Sequence, residues 1–362
     1  MDEVGILRAL VEEYSPSGRE AGAARTFVKL ARELGFAAET DGVGNALARI
    51  GTGPPVIAFL GHIDTVEGEL PVRLEGGRLF GRGTCDAKGA VAAALIAASR
   101  HDGPGEILVI AAVGEERDSR GTRHLLTYLP RPDFLVVGEP SGWDAVTIGY
   151  KGNLSIAVAV EGERVHLSAP EGSTVEKGLA ILDAVRAFCA TRRGETLYGS
   201  LTMKVHSIET SRKGGRERVE MSVNFRLPPG LAVGEILGLP ELTAPDVGCT
   251  VVDQSEAAQV DARNEVVRSL CEGIRAGGHR PTLRRKLGTS DLNLAVPGWG
   301  CPAAAYGPGD SHLDHTDTEN LSVVDFLAAI EVLRAAFRRL SAAGGRVQRS
   351  TAMSVAAPRA SP

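Results

Sequence analysis

Residues 56–65 read VIAFLGHIDT: five apolar residues, a glycine, and then a histidine and an aspartate separated by one residue. A short apolar run that ends at a glycine is typical of a strand buried on both faces of a parallel sheet. Runs of the same kind occupy residues 107–113 and 134–137, and helical patterns at 88–100 and 121–129 separate the three. This alternation predicts an α/β fold with a mostly parallel sheet flanked by helices.

Helix signals also occur near both ends of the chain. Ser17 and Glu20 have the spacing of a capping box, in which each side chain pairs with a backbone amide at the start of a helix. Gly35 follows the last apolar residue of this second helical pattern, and glycine commonly ends a helix. Far along the chain, a last helix is predicted over residues 323–340.

The hydrophobic pattern changes near Gly149. Residues 154–160 and 218–227 alternate apolar and polar side chains, which is typical of strands that face water on one side. An amphipathic helical pattern at 174–190 lies between them, so an inserted α+β domain is predicted. From residue 344 onward there is no acidic residue and no periodicity, which is typical of disorder. The predicted organisation is a discontinuous first domain, an inserted domain and a disordered tail, at 1–150 with 256–343, at 151–255 and at 344–362.

Composition excludes several classes of protein. The 362 residues are 43% hydrophobic and 23% charged, and the formal net charge is −5, so nothing indicates binding to nucleic acid or to an anionic membrane surface. No apolar run approaches the ~20 residues that span a bilayer. The N-terminus shows no secretory signal. The five cysteines are scattered and never have metal-binding spacing, which favours a cytoplasmic location and argues against a thiolate zinc site.

Histidines and carboxylates follow each predicted strand of the sheet. His62 and Asp64 follow the first strand, Glu115 and Glu116 the second, and Glu139 the third. Ligands of open α/β sheets bind beyond the carboxyl ends of the strands. We therefore expect these side chains to meet at one edge of the sheet.

Two further segments supply donors of the same kind. GRGTCDAKG at 81–89 places Asp86 at a predicted helix start, and DSHLDHTDTE at 310–319 contains His315. Each motif alone is commonly a surface pair, a helix start or a turn. Together, imidazoles and carboxylates without a thiolate form the ligand set of a hydrolytic zinc, cobalt or manganese site. A shared carboxylate would hold two ions about 3.5–4 Å apart, close enough to activate a water and polarise a carbonyl.

These five motifs resemble, in order and spacing, those of the M20 family of co-catalytic metallo-aminoacylases and peptidases. The resemblance implies two divalent ions per subunit, Zn²⁺ or Co²⁺, in a catalytic domain of the zinc-peptidase type. Asp86 would bridge the two ions. His62 and Glu139 would complete one metal site. Glu116 and His315 would complete the other.

The resemblance also implies how the reaction proceeds. Asp64 would orient His62, because a ligating imidazole needs its other ring nitrogen held. Glu115 would be the general base that takes a proton from the attacking water and passes it to the leaving amine. The chain is therefore expected to be an enzyme that hydrolyses linear amide bonds.

The inserted segment resembles the lid and dimerisation domain of the family, which implies a homodimer. His166 resembles a lid histidine that stabilises the oxyanion in the neighbouring subunit's site. Arg226 resembles a lid arginine that grips a substrate carboxylate, a task suited to guanidinium. Thr289 and Ser290 lie in a loop similar to one that lines the family's substrate site. Without the resemblance, His166 is a surface histidine, and a strand-end charge explains Arg226 equally well.

Within the family, the motifs and their neighbours look most similar to a branch that acts in lysine and arginine biosynthesis. That branch releases lysine or ornithine from the C-terminal glutamate side chain of a small acidic amino-group carrier protein. Basic clusters at 204–218 and 279–286 are compatible with an acidic partner of this kind.

Other functions remain open at this point. The spacing of the motifs does not distinguish carrier-protein hydrolysis from an acetylornithine deacetylase, a succinyl-diaminopimelate desuccinylase or a broad dipeptidase. A non-catalytic binding relative is disfavoured, because Asp86, Glu115 and both motif histidines are present.

Overall fold

The computed structural model describes residues 1–166, 168 and 170–355, with side chains described as far as residue 343. The chain divides into two units, each with its own hydrophobic core. The first unit comprises Met1–Ile148, Val260–Arg284 and Ser290–Pro362, and the second comprises Gly149–Gln259 and Arg285–Thr289. The chain therefore enters the second unit twice.

Helices and strands alternate through much of the described chain. The helices are α1 (Glu3–Glu12), α2 (Ala21–Glu33), α3 (Lys88–Ser99), α4 (Arg120–Tyr128), α5 (Thr174–Thr191), α6 (Val233–Leu237), α7 (Glu265–Ala276), α8 (Leu292–Trp299) and α9 (Val323–Val355). The strands are β1 (Ala37–Thr40), β2 (Ala46–Thr52), β3 (Val56–His62), β4 (Arg73–Glu75), β5 (Arg78–Phe80), β6 (Gly105–Ala112), β7 (Phe134–Gly138), β8 (Ala145–Tyr150), β9 (Gly152–Glu163), β10 (Thr202–Lys213), β11 (Arg216–Leu227), β12 (Val247–Ser255), β13 (Ala258–Gln259), β14 (Thr282–Lys286), β15 (Ala303–Ala305) and β16 (Asn320–Ser322).

The central sheet of the first unit has parallel strands in its middle and antiparallel strands towards its edges. Its order is β1-β2-β6-β3-β7-β15-β8. Strand β3 pairs in parallel with β6 and β7, and β7 pairs in parallel with β15. The β1–β2, β2–β6 and β15–β8 pairs are antiparallel. The predicted α/β fold with a mostly parallel, helix-flanked sheet is confirmed, with the parallel pairing confined to the middle strands.

Helix α3 explains how a chain with few aromatic residues builds this core. Its residues 88–98 are all buried, most of them are alanine, and the helix contacts β3, β6, α1 and α9. A helix that is apolar on every side is typical of a core position. The neighbouring strand needs a glycine here, because a Cβ at Gly61 would lie 2.7 Å from Cγ2 of Val91. This close packing fixes the end of β3, where His62 lies.

The predicted capping box of the second helix is wrong. Helix α2 begins at Ala21, and its N-cap residue, Glu20, makes no side-chain hydrogen bond to the cap. The Ser17 hydroxyl donates instead to Oδ2 of Asp64 at 2.6 Å, and Oε1 of Glu20 accepts from the Arg120 guanidinium at 2.6 Å. Oε1 of Glu20 also accepts from the Gly18 amide at 2.9 Å. Ser17 and Glu20 therefore bind these partners instead of forming the reciprocal pairing of a capping box.

The second unit packs a helix against an antiparallel sheet of order β10-β11-β9-β12. Helix α5 contacts β9, β10 and β11, and it begins with a capping box formed by Ser173 and Glu176. The alternating residues of β11 that the sequence pattern assigns to the buried face are buried: Val219, Met221, Val223 and Phe225.

The last helix is longer than the sequence pattern predicts. Helix α9 continues past residue 340 to Val355. The predicted disorder at 344–362 stays a prediction, since the structure describes only a helical backbone at 344–355 and residues 356–362 lie outside the described residues. Among the helices of the described chain, none combines the length and apolar composition that crossing a membrane requires.

Candidate metal centre

Three parallel strands end at the same edge of the central sheet and carry the candidate residues there. His62 is the last residue of β3, Glu115 and Glu116 follow β6, and Glu139 follows β7. Asp86 lies in the loop before α3, at the same end of the sheet. The sequence thus brings these side chains together through the parallel pairing of the three strands.

The Asp86 carboxylate lies between two imidazoles. Its Oδ1 is 3.0 Å from Nε2 of His62, and its Oδ2 is 3.2 Å from Nε2 of His315. The same Nε2 of His315 is 3.0 Å from Oε1 of Glu116. One carboxylate that offers each oxygen to a different imidazole has the arrangement that a bridging metal ligand requires.

Among the described residues, two sets of side chains could each hold a cation. Ligand atoms of His62, Glu115 and Glu116 lie within 4.8 Å of one another, and so do those of Asp86, Glu116 and His315. Glu139 is buried beside them but belongs to neither set, and its charge contributes to the electrostatics of Glu115. Imidazole nitrogens and carboxylate oxygens are the donors that divalent zinc and cobalt accept.

The charge of the region also fits divalent cations. Buried or half-buried carboxylates outnumber the cations beside them, which among the described residues are Arg82, Lys88 and the imidazoles of His62 and His315 with their raised pKa values. Buried negative charge is costly unless cations balance it, so divalent ions would stabilise this arrangement. The carboxylates are those of Asp64, Asp86, Glu115, Glu116, Glu139, Asp291 and Glu319.

Burial and charge shift the titration of the central groups in the metal-free chain. Burial raises the pKa of Glu115 well above its ordinary value, and the charges of Glu139, Asp291 and Glu116 add to this shift. Hydrogen bonds to Asp86 and Glu116 raise the pKa of His315 to about 10. Because a ligating imidazole must be neutral, metal binding would have to displace the proton of His315.

Asp64 contacts more of the site than the sequence predicts. Nδ1 of His62 lies 3.0 Å from the main-chain oxygen of Asp64 and 3.6 Å from its carboxylate. A carbonyl only accepts, so Nδ1 carries a proton. Nε2 faces the Asp86 carboxylate, and the hydrogen bonds to Asp64 and Asp86 raise the pKa of His62 well above its ordinary value although burial opposes this. With Nδ1 held by Asp64, Nε2 is the nitrogen whose proton a metal ion would replace. The Asp64 carboxylate itself accepts from the amides of Glu115 at 3.0 Å and Glu116 at 3.1 Å and from the Ser17 hydroxyl at 2.6 Å. Asp64 therefore holds the turn that carries Glu115 as well as facing His62.

Four buried charged residues of the site were not predicted from the sequence. Arg82 and Glu319 form an ion pair at 2.9 Å, with 4% and 1% of their side chains exposed. The Lys88 ammonium donates to the main-chain oxygen of Glu13 at 2.7 Å, and burial lowers its pKa to about 8. Burial raises the pKa of Asp291 to about 6. Arg82, Lys88 and Glu319 lie within the quoted motifs at 81–89 and 310–319, and Asp291 follows Ser290 directly. Membership of these segments was the sequence signal that could have indicated a role in the site.

The predicted substrate-binding residues are divided between the two units. Ser290 is buried in the first unit, whereas Thr289, Arg226 and His166 belong to the second. His166 is exposed, with Nδ1 2.7 Å from Oγ of Ser168. Arg226 lies on β11, and its Nη1 is buried without a hydrogen-bond partner among the described residues.

This chain is similar to known proteins in both sequence and structure. A sequence model described as Peptidase family M20/M25/M40 matches residues 58–339. A protein of Thermococcus kodakarensis is 39% identical over 333 residues, which cover 92% of this chain and 90% of the relative. A LysW-lysine hydrolase of Deinococcus radiodurans is 36% identical over 351 residues, which cover 92% and 96%. A LysW-lysine/LysW-ornithine hydrolase of Sulfurisphaera tokodaii is 28% identical over 333 residues, which cover 90% and 92%.

Solved structures share the fold at lower identity. The M20 family metallo-carboxypeptidase Sso-CP2 of Sulfolobus solfataricus superposes with a TM-score of 0.73 at 18% identity, covering 94% of this chain and all 100% of its own. Aminopeptidase PepT of Bacillus cereus superposes with a TM-score of 0.72 at 18% identity, covering 94% of this chain and 98% of its own.

Proposed function

Because this chain belongs to peptidase family M20/M25/M40, we propose that it is a metal-dependent amide hydrolase that releases L-lysine, L-ornithine or both from an amino-group carrier protein. The reaction class rests on one observation, the Asp86 carboxylate with an imidazole at each oxygen. The substrate class rests on the relatives, two of which are named for the hydrolysis of LysW-linked lysine or ornithine.

The proposed cofactor is a pair of divalent ions, Zn²⁺ or Co²⁺. Asp86 would bridge them, with His62 and Glu139 as the further ligands of one ion. Glu116 and His315 would complete the other. When bound, such a pair polarises a substrate carbonyl and activates the attacking water.

Glu115 is the proposed general base. It lies three residues after the end of β6 and precedes the proposed ligand Glu116, so the turn that presents the ligand also presents the base. Its pKa is raised by burial. A carboxylate whose pKa lies closer to neutrality both accepts the proton of the water and gives it to the leaving amine more readily. The amide hydrogen bonds that Asp64 accepts would keep this turn in place.

The second unit is the proposed lid and the surface of homodimerisation. His166 would stabilise the oxyanion in the partner subunit's site, and Arg226 would bind a substrate carboxylate. Among the described residues, Nη1 of Arg226 is buried and has no hydrogen-bond partner, which supports that role because a guanidinium nitrogen can donate to a substrate carboxylate. Thr289 and Ser290 would line the substrate site. A cytoplasmic location is supported by the five free cysteines.

Purified, metal-loaded chain assayed against four substrates tests the proposal. These are carrier-linked lysine, carrier-linked ornithine, N-acetylornithine and N-succinyl-diaminopimelate. We expect kcat/KM for one of the carrier-linked amino acids to exceed that for the small acyl compounds by about tenfold or more. Fast turnover of N-acetylornithine with none of the carrier-linked substrates would contradict the proposal.

A further inference from the structure

A buried ion pair joins the loop that carries Asp86 to the segment that carries His315. Nη1 of Arg82 donates to Oε2 of Glu319 at 2.9 Å and to the main-chain oxygen of Thr316 at 3.0 Å. Nε of Arg82 donates to the main-chain oxygen of Gly68 at 2.9 Å. The guanidinium therefore joins its own loop to two other chain segments, at Gly68 and at 316–319.

The other oxygen of Glu319 reaches the backbone of Asp86 itself. Oε1 accepts from the amide of Cys85 at 2.9 Å and from the amide of Asp86 at 3.2 Å. In return, the amide of Gly81 donates to the main-chain oxygen of Glu319 at 3.3 Å. Both oxygens of the carboxylate are thus occupied by donors of the protein, so Glu319 does not resemble a metal ligand.

Stability alone is a poor explanation for this pair. Two charges with 4% and 1% of their side chains exposed have lost their hydration, and apolar residues of similar size often stabilise a fold as well or better. The pair does achieve something that apolar residues cannot, because it supplies an acceptor to two amides next to Asp86.

We propose that Glu319, held by Arg82, is a positioning residue that fixes the backbone of Cys85 and Asp86 so that the Asp86 carboxylate lies between His62 and His315. This inference rests on the metal ligands proposed above. It assigns to Glu319 no contact with metal or substrate. Its effect is transmitted through the Asp86 amide.

Two double variants separate the effect of the hydrogen-bond acceptor at position 319 from the effect of the Arg82–Glu319 ion pair. Arg82→Met with Glu319→Gln removes the ion pair but keeps a side-chain oxygen for the two amides. Arg82→Met with Glu319→Met removes the ion pair and the oxygen together. Glu75→Gln is the control, because its carboxylate forms an exposed pair with Arg73 at 3.1 Å outside the site.

The readouts are the number and affinity of bound Co²⁺ ions, the visible absorption of bound Co²⁺, and the thermal unfolding of the metal-free chain. We expect the Glu319→Met double variant to bind Co²⁺ about tenfold more weakly than the Glu319→Gln double variant, with an altered spectrum. The Glu75→Gln control should match the wild type. Equal affinity and equal spectra in the two double variants would overturn the inference.

A single variant covers the case in which the Glu319→Met chain does not fold. Glu319→Asp keeps the charge beside Arg82 but shortens the side chain, so it should not reach both the guanidinium and the two amides. It should bind Co²⁺ about tenfold more weakly than wild type, and wild-type affinity would overturn the inference. Failure of the wild type to bind two Co²⁺ ions would instead contradict the proposed ligands themselves.

Discussion

Asp86 and Glu115 are acidic residues of the same site, and the proposal gives them roles that mutation can separate. Asp86 contacts both imidazoles, at 3.0 and 3.2 Å. The Glu115 side chain is half-buried, and the charges of its neighbours Glu116, Glu139 and Asp291 raise its pKa further. Loss of the Asp86 carboxylate should remove the bound metal, whereas loss of the Glu115 carboxylate should remove only the proton transfer.

Glu115→Gln is therefore expected to reduce kcat by about 10²- to 10⁴-fold, because an amide cannot accept the proton of the water. Metal analysis of the same preparation should find as many ions as in the wild type. The measurement is steady-state hydrolysis of a carrier-linked amino acid, accompanied by metal analysis.

Asp86→Ala is the matching control for that variant. It should lose metal as well as activity, since the remaining ligands no longer share a carboxylate. A Glu115→Gln chain that keeps most of its activity, or an Asp86→Ala chain that keeps two ions, would contradict the assigned roles.

The raised pKa of His315 makes metal binding dependent on pH. Its pKa is about 10 in the metal-free chain, because Asp86 and Glu116 stabilise the protonated ring. A metal ion would displace this proton, and the proposed ligand His62, whose pKa is also raised, would lose one as well. Apparent affinity should therefore rise at least about tenfold per pH unit between about pH 7 and pH 9. A chelator competition titration, corrected for protonation of the chelator, measures this slope. An ordinary imidazole would give no slope above about pH 7.5, and such a plateau would contradict the expectation.

Individual residues were predicted from the sequence where a motif follows a strand. His62, Glu116 and Glu139 are cases of this kind, and their roles as ligands stay predictions. The ion pair of Arg82 and Glu319 was missed because the two residues are 237 positions apart in the sequence. No local pattern encodes a hydrogen bond to a distant backbone amide.

At the scale of elements, the loop between α1 and α2 contacts the site from one side. The Ser15 hydroxyl donates to the main-chain oxygen of Ile63 at 2.7 Å, and the Thr65 amide donates to the main-chain oxygen of Ser15 at 3.0 Å. The Ser17 hydroxyl donates to Asp64, and the Lys88 ammonium donates to Glu13. The loop thus fixes the segment that follows β3.

Ser17→Ala should reduce kcat by about tenfold and leave KM within about twofold, since Ser17 acts through Asp64 on the turn of Glu115. Ser99→Ala is a suitable control, because its hydroxyl donates only within its own helix, to Ile96 at 2.8 Å. Steady-state kinetics of the two variants tests this. Equal kinetics in both would show that the Ser17 hydroxyl does not affect the base.

Elements were predicted well where burial alone decides them, as in the three strands of the sheet. The start of α2 was predicted wrongly, because the S-x-x-E spacing of Ser17 and Glu20 is a local signal that takes no account of distant partners. Asp64 and Arg120 bind these side chains in the folded chain, and neither partner is near in sequence. The length of α9 was missed because its final residues lack the apolar periodicity on which the prediction depends.

At the scale of the whole molecule, charge is distributed unevenly over each unit. In the second unit, Arg218 pairs with Glu161 and Glu220, and Arg212 pairs with Glu217. In the first unit, a groove of about 420 Å³ contains the exposed cations Arg275 and Arg280. Glu272 in the same groove pairs with Arg339, so Arg275 and Arg280 are local candidates for attracting an acidic partner.

If the carrier protein is acidic, kcat/KM for the carrier-linked substrate should fall as salt rises, because screening weakens the attraction between opposite charges. A decrease of about tenfold between about 20 and 200 mM salt is expected. N-acetylornithine, if it is turned over at all, serves as a small-substrate control with a weaker dependence. An unchanged kcat/KM for the carrier-linked substrate would exclude electrostatic attraction.

The intact mass of the carrier protein before and after incubation with this chain tests the proposed hydrolysis most directly. With metal-loaded wild type, the carrier-linked substrate should lose the mass of one lysyl or ornithyl residue, and the free amino acid should appear in equal amount. Chelator-treated chain and Glu115→Gln should leave the mass unchanged. An unchanged mass with wild type that holds two ions would contradict the central claim.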